Sequence, residues 1–79
     1  MVGGRVIQVR EIRPGVTQLW CVGTGNDEGR DIAVDVETAP AMPLLGDEIW
    51  WQSGKVYWDR DRRELRKVST SYDPHTEDA

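Results

Sequence analysis

Arg30-Asp31-Ile32-Ala33-Val34-Asp35-Val36-Glu37 carries a branched apolar side chain at every second position. Ile32, Val34 and Val36 fall on one face; Asp31, Ala33, Asp35 and Glu37 fall on the other. A two-residue period of this kind predicts a half-buried antiparallel strand.

Working outward from it, the same signal recurs. Upstream lies a loop, Gly23 to Gly29, and before it the run Val16 to Val22. Leu19 and Cys21 share one face of that run, Trp20 and Val22 the other, so the strand is expected to be central or covered on both sides. Pro14-Gly15 is a turn. Arg5 to Ile12, where Ile7 and Val9 alternate with Gln8 and Arg10, reads as the first strand. Downstream, Thr38 to Leu45 holds Pro40 and Pro43 and is a connection, because proline cannot donate to a strand ladder. Glu48 to Gln52 and Lys55 to Asp59 are strands four and five, joined by a Ser53-Gly54 hairpin turn. Alternation puts Ile49 and Trp51 on one face with Val56 and Trp58, and turns Trp50 and Tyr57 the other way. Arg60 to Lys67 fits either a short helix or a turn leading into a sixth strand over Leu65 to Thr70. With only Leu65 and Val68 apolar, the turn and a short edge strand are preferred. Residues 71–79 read as a flexible polar tail and 1–70 as one domain.

Seventy-nine residues allow one domain with a thin stability margin. Five or six short strands with Gly and Pro turns predict a mainly β fold: a small five- to six-stranded antiparallel barrel, since closure removes exposed edges. The pattern resembles an oligonucleotide/oligosaccharide-binding (OB) fold, with a long first strand after glycines, a meander through Glu37, a connection and a final hairpin opened by Gly46-Asp47. The helix usual in that fold is reduced here to Thr38–Leu45. An SH3-like barrel is the alternative, on the Gly-Asp step before an apolar strand and the Trp pair. More locally, Gly46-Asp47-Glu48-Ile49-Trp50-Trp51-Gln52 followed by Tyr57-Trp58 resembles a segment of small uncharacterised bacterial proteins, phage and mobile-element products among them. That resemblance implies a bacterial accessory role and transfers no functional residues.

The formal net charge is −4, which disfavours binding nucleic acid over the whole surface. The charge is uneven. Seven acidic residues stand between Asp27 and Glu48 against Arg30 alone, whereas Arg60 to Lys67 holds five basic residues and two acidic ones. The single Cys21 cannot form an intrachain disulfide and reads as a small buried hydrophobe. No stretch is long and apolar enough to span a membrane, and the N-terminus lacks a signal-peptide core, so a cytoplasmic location is expected.

Candidate sites follow from the same alternation. Trp51 and Trp58 are expected in the core, which must use tryptophan because the chain has no phenylalanine. Trp50 and Tyr57 are expected to face outward on adjacent strands, either as a stacking platform or as packing under the tail or in a dimer. Arg60, Arg62, Arg63, Arg66 and Lys67 follow directly. They offer planar contacts to phosphates, or form a solvated edge, or pair with the acidic third strand. The carboxylates of Asp31, Asp35 and Glu37 lack a calcium-loop order and read as a solvated face. The loop Gly23–Gly29 carries Asp27 and Glu28 and leads into a strand, which does not suit phosphate. His75 lies in the polar tail, which is not expected to hold it within hydrogen-bond reach of a nucleophile such as Cys21. The expectation is a non-enzymatic binding module without metal or cofactor. Its partner is single-stranded nucleic acid at Trp50, Tyr57 and the basic strip. A protein partner or homodimer contact on the same surface is the alternative, and an oligosaccharide a third reading.

Overall fold

The computed structural model describes residues 2–25, 28–58 and 63–72, and within them six strands. They are β1 (Val2–Arg13), β2 (Val16–Thr24), β3 (Asp31–Glu37), β4 (Glu48–Gln52), β5 (Lys55–Trp58) and β6 (Arg63–Tyr72). Every neighbouring pair is antiparallel, and the order β1-β2-β3-β6-β5-β4 closes on itself as a barrel. This is the mainly β, small antiparallel barrel that the strand pattern predicts, with six strands, and it is consistent with the OB-fold-like resemblance. No helix of the described residues is long and apolar enough to cross a membrane.

The period of two survives into the packing. Leu19 and Cys21 of β2 face Val34 and Ile32 of β3 across the ladder, and all four are fully buried. Ile49 stands opposite Trp58, Trp51 opposite Val56, and Val56 opposite Leu65 on β6. These side chains meet Val6 and Val36 in one core. Trp51 and Trp58 are therefore core rings, as the absence of phenylalanine requires.

Closure brings β1 between β2 and β4, and two glycines make that possible. A β-carbon on Gly4 would stand 2.9 Å from Cys21 Cβ; one on Gly3 would stand 2.8 Å from the Ile49 carbonyl oxygen. Any side chain there forces the ladders apart.

Three expectations are corrected. In β1 Val6 is buried in the core, whereas Ile7 is 48% exposed. A register shift between Val6 and Gln8 makes Ile7 an extra residue, so simple alternation fails across it. The sixth strand is not an edge: it lies between β3 and β5 and pairs with both. Few of its residues are apolar because Leu65 alone carries its share of the core, while the ladders on both sides hold the backbone. It is also longer than expected, running to Tyr72, two residues into the stretch read as tail; residues 73–79 lie outside the described set.

The connection 38–47 returns the chain to the barrel. The Thr17 and Thr38 hydroxyls are 2.7 Å apart and fix its start. Its end is a turn in which Asp47 accepts from the Leu44 amide at 2.9 Å and donates its own amide to the Leu44 carbonyl. Gly46, at φ 90°, supplies the left-handed step. The Gly46 amide then donates to Val6 O, and the Val6 amide to Asp47 O, which docks the turn on β1.

Candidate functional site

The β4–β5 hairpin fixes the outer face through its register. Gln52 pairs with Lys55 across the Ser53-Gly54 turn, where Ser53 has φ 57°. That register places Trp50 directly opposite Tyr57. Both are half-buried and lie on the face away from Trp51 and Trp58. The row extends on both sides, to Gly3 on β1 and Glu64 on β6. Gly3 leaves Trp50 room, since a β-carbon there would come within 3.2 Å of Trp50 Cβ.

Two residues along the strands, about 7 Å away, lies a second row: Gln52, Lys55 and Arg66. Lys55 and Arg66 are direct cross-strand partners. Like charges so placed repel one another. The repulsion is eased from either side. Lys55 Nζ lies 3.4 Å from Glu64 Oε1, and an Arg66 guanidinium nitrogen lies 3.8 Å from Glu37 Oε2. More than half of each of these side chains is solvent-exposed, so these ion pairs are weak and readily exchanged. An open groove of about 580 Å³ runs over the second row and the Tyr57–Glu64 end of the first, lined by Gln52, Lys55, Tyr57, Glu64 and Arg66.

The basic strip is not one surface. Arg66 faces out beside Lys55, but Lys67 is the half-buried partner of Val36, one residue out of phase. Arg63 is placed opposite Trp58 in the ladder, and Arg60 and Arg62 lie outside the described residues. The structure thus brings together Trp50, Tyr57 and Arg66 of the predicted set. It adds Lys55, which sequence reasoning passed over. A signal for Lys55 was available: it lies two residues before Tyr57 on the same strand, hence on the same face.

The remaining candidates have structural partners. Asp35 accepts from Gln18 Nε2 at 3.2 Å and from Ser69 Oγ at 3.0 Å, tying β2, β3 and β6 on the outer face. Among the described residues no three His, Cys, Asp or Glu side chains cluster as metal ligands. In the glycine-rich loop the amides of Gly23, Glu28 and Gly29 donate to the loop's own carbonyls, of Arg30, Gly25 and Gly23, so they do not form a phosphate cradle. Cys21 is fully buried, its thiol 3.6 Å from the Leu19 carbonyl oxygen, and burial pushes its pKa up to about 12. A thiol so held is no nucleophile. His75 lies outside the described residues.

No protein-family model, curated protein or solved structure matches the chain. Fold and site together define its class: a closed six-stranded β-barrel carrying an outward aromatic pair beside a cationic one.

Proposed function

We propose that the chain is a non-enzymatic binding module for single-stranded nucleic acid, and that the outer face of β4, β5 and β6 is its binding surface. One observation carries the reading: Lys55 and Arg66 are held opposite each other one row from Trp50 and Tyr57. A like-charge pair costs the fold free energy, and a phosphate between the two cations would recover it. The spacing of the rows suits a base stacked on the aromatics with its phosphate at the cations. Stacking is tolerant of sequence and charge contacts give salt dependence, the combination single-strand binders use. The net charge of −4 disfavours such contacts over the surface as a whole. A cytoplasmic setting, and an accessory role in a bacterium or mobile element, belong to the same proposal; they rest on the free buried thiol and the Gly46–Gln52 and Tyr57-Trp58 resemblance.

The test is fluorescence anisotropy of a labelled single-stranded oligonucleotide titrated with the full chain at low salt. Binding is expected, and Lys55→Gln is expected to lower the slope of log K against log salt by about 0.7, one phosphate contact. No binding at low salt rejects the reading.

A protein partner or second copy has one specific observation in its favour. Leu44 and Leu45, 63% and 67% exposed, sit on the turn docked beside β1. Light scattering that shows a dimer, with Leu45→Ser giving a monomer, would support that reading instead.

A further inference from the structure

Glu64 is out of place in a surface that merely attracts polyanions. It is the β6 member of the aromatic row, directly opposite Tyr57. Its carboxylate lines the same groove and is about half exposed. A carboxylate there repels every phosphate that approaches Lys55 and Arg66. Its pairing with Lys55 at 3.4 Å softens that repulsion without removing the acceptor oxygens from the groove. Directly opposed side chains in a sheet have β-carbons about 5 Å apart. A base lying on Tyr57 and Trp50 therefore presents an edge to Glu64.

We propose that Glu64 reads that edge and makes the site selective for guanine, an inference that rests on the nucleic-acid reading above. A carboxylate is an acceptor only, with two oxygens side by side. It is matched by two parallel N–H donors, the geometry that makes its pairs with arginine strong. Among the bases guanine alone offers such a pair, N1–H beside the N2 amino group. Adenine and cytosine present one amino donor next to an acceptor nitrogen, which meets the second carboxylate oxygen with repulsion. Thymine and uracil flank their single N–H with two carbonyls. The expected order is guanine first, adenine and cytosine next, thymine and uracil last.

The experiment compares eight-residue oligothymidylate with the same strand carrying guanine at alternate positions, in lithium buffer at low salt to prevent guanine self-assembly. The guanine-containing strand is expected to bind wild-type protein about tenfold more tightly, on the scale of one bidentate base contact. Glu64→Gln replaces one acceptor with a donor; it is expected to bind oligothymidylate at least as well as wild type and to lose the guanine preference. Circular dichroism confirms that this surface variant keeps the barrel. Equal affinity of the wild type for both strands, or a guanine preference that survives in Glu64→Gln, overturns the inference and leaves the nucleic-acid reading standing. Failure of both strands to bind overturns both.

Discussion

Cys21 shows how much one buried atom ties to the whole chain. Its sulfur lies inside the ring of strands against Leu19 and the close approach of Gly4. Burial raises the thiol pKa from 9.0 to about 12. The folded state therefore keeps a proton that the unfolded state releases once pH passes the lower value. With fewer protons bound in the unfolded state, stability falls as pH rises. The loss begins near pH 9, steepens to about 1.4 kcal/mol per pH unit, and ends where the folded thiol itself titrates. Urea unfolding of wild type and Cys21→Ala at a series of pH values between 8 and about 11 isolates this group, because every other side chain is common to both. The wild type is expected to lose stability faster over that range, although Cys21→Ala starts lower from its cavity. Parallel curves would show that the thiol is not sealed from water.

At the scale of elements, the four strands from Val16 to Trp58 could be read almost to the residue, because each holds a strict two-residue period bounded by Gly, Pro or Ser turns. The hairpin followed from Ser53-Gly54, and with it the opposition of Trp50 and Tyr57. What alternation cannot carry is a bulge. Val6-Ile7 and Lys67-Val68 give no local sign of which residue is extra, yet the register shifts at both places. The first sets Ile7 out of step with Val9, and the second makes Val68 the extra residue; Lys67 parts from Arg66 by plain alternation. Lys55 stands outside the basic run from Arg60 to Lys67, yet it opens Tyr57's own strand and shares its face. The first bulge also leads β1 away from β4. From Gln8 to Arg13 the strand pairs with β2, and among the described residues no strand pairs with its other edge. Arg10, Glu11 and Arg13 occupy that stretch, all exposed. Antiparallel pairing of two copies centred there sets Arg10 against Arg10 or Glu11 against Glu11, and like charges directly opposed are unfavourable. Charges and bulges are the usual guards of such an edge. Replacing Arg10, Glu11 and Arg13 with threonine is expected to leave the barrel folded and to make it self-associate. Analytical ultracentrifugation at rising concentration reads this; a variant that stays monomeric at all concentrations would mean the edge is guarded by shape alone.

For the molecule as a whole, closure means that any one ladder can open the ring, and the ladders are unequal. β1 and β2 are zipped from Gly3–Thr24 to Arg13–Val16, and β2 and β3 along all of β3. The seam between β1 and β4 runs only from Val2 to Arg5, and β5 is a four-residue strand held between β4 and β6. Trp51 and Trp58 anchor the hairpin in the core, but its backbone bonds are few and near a turn. The site therefore sits on the part of the barrel with the least ladder behind it. Local opening draws on such regions first, at free energies below that of global unfolding. Native-state hydrogen exchange is expected to show the amides of Ile49 to Trp58 exchanging through a smaller opening than those of Leu19 to Cys21 and Ile32 to Val34. A ligand on the outer face bridges β4, β5 and β6, and is expected to slow exchange in the hairpin more than in β2 and β3, because binding to the closed state alone adds to its stability. Hairpin amides as slow as those of β2 without ligand would mean that the two buried tryptophans, and not the ladders, set the order in which the barrel comes apart.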